Sequence, residues 1–507
     1  MPKVNDDVVR PAQTIEANGK GAIRKVDVVI VGAGIAGIGA AYHLKTGLPE
    51  KSFAIFDEQP AFGGTWRTHK YPGIRSDSDL HTFGYRFKPW RGTPIATADE
   101  ILKYMNEVIA ENDLGQHIHY RHRIVSANWS NSWNQWEIQV EDLETGAQES
   151  ILAKFLWMCQ GYYRHDKGYT PEWPGVGDFK GTIIHPQEWP EDLDVTGKKV
   201  VVIGSGATAA TLIPALTETA AHVTMVQRSP GYFTPGRNRN ELAETLRALD
   251  IDPAWIHEIV RRSILAEGAK RTKAILANPD SARTELLKGL SAYLDDETIA
   301  QHFTPSYAPW NQRICFVPEG DFFKAMNAGK ASVVTDQIDR FTETGLLLAS
   351  GKTIDADVIV TATGFDLLAM GGVHFYIDGE PLDFADTVTY RGMMFTGVPN
   401  MVWVFGYFRA SWTLRADLVG DFVTQLLSYM DDHELSKVEV ALSSEEQALE
   451  RQPFVDPADF NPGYLQRGMD KMPKSLAKPE WRHSQNYAQD REIFPTISVE
   501  QAPFVYN

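Results

Sequence analysis

Two glycine-rich turns in one chain restrict its fold more than any other feature of the sequence. Gly32-Ala33-Gly34-Ile35-Ala36-Gly37 follows the apolar run Val26-Asp27-Val28-Val29-Ile30-Val31 and leads into a helical pattern over 35–44. Gly204-Ser205-Gly206-Ala207-Thr208-Ala209 follows Lys198-Lys199-Val200-Val201-Val202-Ile203 in the same way. Strand, tight turn and helix is the unit that sets a pyrophosphate on a helix N-terminus. The first glycine permits the turn, the second lets backbone approach the phosphates, and the third lets helix and strand pack closely. Ala209 at the third position of the second turn is a tolerated variant. The sequence predicts an α/β chain with two Rossmann-like dinucleotide-binding domains.

The strand after each turn predicts which dinucleotide is held. Phe53-Ala54-Ile55-Phe56 ends at Asp57, a carboxylate placed to accept hydrogen bonds from ribose hydroxyls. The paired glycines Gly63-Gly64, with Thr65-Trp66 after them, let backbone lie against a flat ring system. The first site therefore reads as a dinucleotide groove with room for a flat ring, and the Ala362-Thr363-Gly364 turn, of a kind that commonly closes a discontinuous FAD domain, points to FAD. His222-Val223-Thr224-Met225-Val226 ends instead in Gln227-Arg228-Ser229. No acid stands at that point, and an arginine there pairs with a 2′-phosphate that a carboxylate would repel. The second site reads as NADPH.

A chain of 507 residues implies two or three domains. Its formal charge of −17 makes nucleic acid and anionic membranes poor partners. The two cysteines, Cys159 and Cys315, are too far apart for a redox or metal motif, so a cytoplasmic, disulfide-free protein is expected. No apolar run approaches the ~20 residues of a membrane span, and residues 1–24 read as a flexible, polar arm.

Between the turns lies Phe179-x-Gly181-x3-His185-x3-Trp189-Pro190, and before it Tyr71-Pro72-Gly73-x3-Asp77. Asp77 either caps a local turn or holds a catalytic cation. Together with Gly63-Gly64-x-Trp66 these strings resemble the paired signatures of type I Baeyer–Villiger monooxygenases. The likeness runs from Val26 to about Tyr487, and it looks closest to the branch that contains the ethionamide-activating monooxygenase. Residues of that branch include Arg75-Ser76-Asp77-Ser78-Asp79, Pro309-Trp310-Asn311-Gln312-Arg313, Gly320-Asp321 and Ser411-Trp412-Thr413-Leu414.

The resemblance implies a flavoprotein monooxygenase using FAD, NADPH and O2. It would convert ketones to esters or lactones through a C4a-peroxyflavin, and would also oxidise sulfides. By position Arg313 matches the family's catalytic arginine and Asp77 the carboxylate that holds it. A guanidinium suits the task because it keeps its charge at working pH. His185 either fixes the linker by a hydrogen bond or takes a direct part in catalysis; as a motif residue it would couple domain motion to cofactor binding. Gln312 replaces a lysine that many members carry beside the arginine, which leaves Arg228 with most of the preference for NADPH.

The expected organisation is an FAD domain over 25–165, then the linker motif and NADPH domain over 166–345, with a helical excursion over about 238–300. Residues 346–507 would return to the FAD domain and wrap the surface. The run Asp357-Val358-Ile359-Val360-Thr361-Ala362-Thr363-Gly364 would close that discontinuous domain. Ser411 is the expected N-cap of a helix reaching about Met430. Trp412 and Phe408 are equally pocket residues or core filler. A heteroatom-hydroxylating flavin monooxygenase and a non-catalytic nucleotide sensor are the competing readings; Asp77, Arg313 and Trp189-Pro190 disfavour the first, and Arg228, Arg313 and both glycine turns the second. Ketone preference and oligomeric state are left open.

Overall fold

The structure, a computed structural model, describes residues 13–17 and 20–507, with side chains from Arg24 onward. Two parallel-stranded cores form it. In the first, Lys20–Val31 lies between Phe53–Asp57 and Gln148–Met158, parallel to both, and Ile118–Tyr120 extends the edge. Val28, Val29 and Ile30 are wholly buried, as expected for strands covered on both faces. An antiparallel limb, His122–Ser130 and Gln135–Asp142, continues this ten-stranded sheet. Met401–Trp403 joins it beside Gln148–Met158, so the chain does return to the first domain.

The second core is a five-stranded parallel sheet ordered 331–335, 222–227, 199–203, 358–361, 182–184. Val358–Thr361 pairs with both Lys199–Ile203 and Thr182–Ile184. This corrects the expected boundary at 345: residues up to Thr361 belong to the second domain, and the chain crosses back only after it. A short apolar run buried on both faces carries no mark of the sheet it enters.

The helical excursion consists of Glu241–Ala248, Pro253–Ala277, Pro279–Leu290 and Asp296–His302. Ser411 does stand at the N-cap of Trp412–Asp432 but makes no capping bond; its hydroxyl pairs with Thr82 Oγ1 at 2.9 Å. The expected arm is corrected in part. Gln13–Ala17 pairs antiparallel with Lys20–Val31, while residues 1–12 and 18–19 lie outside the described ones. No described helix is long and apolar enough to cross a membrane.

Two crossings join the domains, and they are zipped together. Arg164 N donates to Asp366 O at 2.9 Å, Leu368 N to Tyr162 O at 3.0 Å and Tyr169 N to Gly364 O at 3.0 Å. Beside them the loop 71–77 of the first domain docks on the second. A Cβ on Gly73 would stand 2.8 Å from Ala215 Cβ, and Arg75 Nη1 pairs with Asp321 Oδ2 at 2.6 Å.

Candidate active site

Each glycine-rich turn leaves a groove that a side chain would fill. Gly32 has φ +98°, and a Cβ there would stand 2.9 Å from Cys159 O; one on Gly37 would stand 1.8 Å from Gly32 O. Gly34 faces Gly64 across the groove, where a Cβ on Gly64 would lie 3.2 Å from Gly34 Cα. The helix Ile35–Gly47 begins at Gly34 with no side-chain cap, so its first N–H groups remain available to an anion.

Asp57 lines the same groove. Its Oδ2 accepts from Ala33 N at 2.6 Å and its Oδ1 from Gln59 N at 2.8 Å. Burial raises its pKa to about 6 despite those two bonds. Gln160, at the end of Gln148–Met158, lines the same cavity with both amide atoms buried and unpartnered. Such an amide is an offer of hydrogen bonds to a bound group. Thr65 Oγ1 lies 2.5 Å from Tyr163 Oη, and Trp66 packs edge-on to Phe83 at 5.6 Å. These residues fit FAD.

The second groove repeats the pattern. Gly204 has φ +124°, and a Cβ there would come within 2.2 Å of Ala362 O. The helix Ala207–Leu216 starts at Gly206 with no side-chain cap and no acid in its first turn. Thr208 reaches the Tyr71 hydroxyl of the first domain. Arg228 and Ser229 are exposed at the cavity rim, and Arg228 has no carboxylate partner among the described residues. A free guanidinium beside an uncapped helix N-terminus fits the 2′-phosphate of NADPH.

Both grooves open into one cavity of about 1280 Å³. Arg313 and Asp77, 236 positions apart in sequence, meet in its wall. Arg313 Nε lies 2.5 Å from Asp77 Oδ2 and Nη2 lies 2.8 Å from Asp77 Oδ1, a two-pronged pair. Nη2 also reaches Ser78 Oγ at 3.4 Å, and Nη1 donates to Phe408 O at 3.1 Å. Burial opposes the arginine's charge; the Asp77 carboxylate outweighs it and holds the pKa above its ordinary value. These four contacts leave at least one of the guanidinium's five N–H bonds uncommitted, and 36% of the side chain stays exposed to the cavity.

The motif Phe179 to Pro190 is built into the second domain rather than hanging between the two. Phe179 is buried, and a Cβ on Gly181 would meet Asp357 O at 2.3 Å. His185 caps the turn Pro186–Glu188, its Nδ1 accepting from Gln187 N at 3.2 Å. Its ring lies against Gly168, and burial lowers its pKa to about 4. Trp189 packs in the second core beside Tyr71, and Pro190 follows it at the surface.

Sequence reasoning overlooked Gln160, Tyr162, Tyr163, Tyr464 and Arg467, all in the cavity wall. A signal existed for three of them: they follow the carboxyl end of a parallel strand, where ligands of α/β sheets bind. Trp412 and Phe408 prove to be both wall and core, since Trp412 stacks on Tyr162 at 5.2 Å.

Two nucleotide grooves opening into one cavity are the arrangement of a two-dinucleotide flavoprotein. The chain belongs to the family of FAD-containing monooxygenases. It is 47% identical to the FAD-containing monooxygenase EthA of Mycolicibacterium smegmatis, over 94% of this chain and 96% of that one. To EthA of Mycobacterium tuberculosis it is 44% identical, over 92% and 94%. To the probable FAD-binding monooxygenase AlmA of an Acinetobacter species it is 43% identical over the same shares. A flavin-binding monooxygenase-like family model matches residues 94–240, and an NAD(P)-binding Rossmann-like model matches 30–91. Among solved structures, a steroid monooxygenase bound to NADP shares the fold with a TM-score of 0.76 at 24% identity, covering 95% of this chain and 99% of that one.

Proposed function

We propose that this chain is an NADPH- and O2-dependent Baeyer–Villiger monooxygenase that converts ketones to esters or lactones and also oxidises sulfides. The observation that carries the reading is the Arg313–Asp77 pair, set where both grooves open into one chamber. FAD, when bound, would supply activated oxygen in that chamber, with NADPH as the electron donor. The chain's part is to stabilise charge. Negative charge would grow on the substrate carbonyl oxygen as activated oxygen adds to the carbonyl carbon, and the uncommitted N–H of Arg313 can meet it. Asp77 takes two of the other N–H bonds and so fixes the plane of the guanidinium. Phe408 O fixes it from the other side. Heteroatom oxidation has no such oxyanion to stabilise, so the pair is explained by ketone chemistry. Gly204, Gly206, Ala207, Thr208, Arg228 and Ser229 would hold NADPH; Gly32, Gly34, Gly37, Asp57, Gly64, Thr65 and Trp66 would hold FAD. Phe179, Gly181, His185, Trp189 and Pro190 would anchor the crossing on which domain motion turns. The two buried free thiols suit a cytoplasmic setting.

The test is aerobic NADPH oxidation by the flavin-loaded protein with phenylacetone, 2-octanone and thioanisole, with products identified by gas chromatography–mass spectrometry. Ester from either ketone supports the reading. Sulfoxide from thioanisole without ester from any ketone overturns it.

A further inference from the structure

The segment after Met401–Trp403 grips the loop that carries Arg313 from two sides. Phe408 offers its carbonyl to Arg313 Nη1 at 3.1 Å. The next residue, Arg409, donates Nη2 to the Trp310 carbonyl, also at 3.1 Å. The same guanidinium then reaches Asp459: Nη1 to Oδ2 at 2.9 Å, Nη2 to Oδ1 at 2.8 Å and Nη2 to the Asp459 carbonyl at 2.7 Å. Only 8% of the Arg409 side chain is exposed, and its charge lies 5.8 Å from the Phe460 ring centre. Phe460 in turn stacks on Phe408 at 4.5 Å.

The gripped loop needs holding. Trp310 has φ +70°, a left-handed conformation that a bulky residue keeps only when its surroundings impose it. Asn461 N donates to Asn311 O at 2.8 Å and Asn311 Nδ2 to Ala458 O at 3.3 Å, so the C-terminal segment clasps the loop as well. Immediately beyond, Pro462 and Tyr464 line the chamber. The loop before Arg313 and this stretch of chamber wall therefore share one fastening.

We propose that Arg409 and Asp459 form a positioning latch: they hold the loop 308–313 in its left-handed turn so that Arg313 stays aimed into the chamber, and they tie that aim to the seating of the C-terminal wall. Neither residue is placed to touch the reacting atoms; the latch acts through Arg313 and rests on the role given to that residue above. A loosened latch would leave flavin reduction intact. It would divert electrons to uncoupled turnover, in which NADPH, a proton and O2 give NADP+ and hydrogen peroxide.

The test compares the flavin-loaded parent with Asp459→Asn and Arg409→Lys. Three quantities are measured: the anaerobic rate of flavin reduction by NADPH, ester formed per NADPH oxidised, and backbone hydrogen exchange in a peptide spanning 308–313. Both variants are expected to keep flavin and to reduce it within about twofold of the parent rate. Ester per NADPH should fall by roughly tenfold, since a misplacement of about 1 Å can cost far more. Peroxide should rise to match, and exchange over 308–313 should quicken. Coupling and exchange both unchanged would overturn the latch. So would loss of flavin and of reduction in the same proportion as ester, because that is plain destabilisation. A parent that forms no ester would fail the reading of function instead, and the exchange measurement would still decide the latch.

Discussion

Single residues show most clearly what spacing and chemistry can reveal. Arg228 was readable because its position after a strand is fixed by the turn before it, and the structure leaves it exposed without an acidic partner among the described residues. A charge-assisted contact is worth ~1.5–3 kcal/mol, so Arg228→Ala should raise the KM for NADPH about ten- to hundred-fold. The KM for NADH should barely move; steady-state kinetics with both donors checks this, and equal losses would contradict it. Arg409 and Asp459 were not readable. Their pairing spans 50 positions and depends on where a coil segment lands, and an arginine beside Ala410 and Ser411 carries no mark of that partner. Gln160 was hidden for another reason: an amide after a strand signals nothing until burial strips it of partners.

At the scale of elements, the turns were legible because they are sterically forced. Gly204 tolerates no Cβ, with Ala362 O in the way and φ at +124°. Gly204→Ala should therefore displace the second groove while sparing the first. The variant is expected to keep its flavin, and its rate of reduction by NADPH should fall at least tenfold, as strain of ~1–3 kcal/mol spoils the phosphate cradle. Flavin absorbance with stopped-flow reduction measures both, and parent-like reduction would contradict this geometry. Strand membership was less legible than strand existence. The apolar run ending at Thr361 was visible, yet it fits either sheet by composition. Its place in the second sheet is set by pairing with Lys199–Ile203, which is 158 positions from it at Asp357. The expected excursion is helical, yet in its longest helix, Pro253–Ala277, the apolar residues are not gathered on one face, and Ile259 stands exposed.

At the scale of the whole molecule, both grooves open into one cavity whose walls mix apolar and polar side chains. Burial keeps several histidines neutral: the pKa values of His69, His185 and His257 fall to about 4, and that of His483 to about 3. Each lies below its unfolded value of ~6.5, so the unfolded chain binds protons that the folded chain refuses. The stability these groups contribute is complete above pH ~6.5 and is lost as pH falls towards 4. Asp57, raised to about 6, acts in the opposite sense but is a single group. The melting temperature should drop steadily between pH 7 and pH 4.5; a flat profile would contradict the burial of these rings. If the chamber serves ketone oxidation, Arg313 is the residue on which that chemistry turns. The most direct measurement is on flavin-loaded Arg313→Ala, following anaerobic reduction by NADPH and ester formation from phenylacetone side by side. Reduction should stay within about tenfold of the parent and ester formation should fall by about a hundredfold or more, the usual effect of removing an oxyanion donor. Ester formation that survives, or that falls only as far as reduction does, would contradict that role of Arg313.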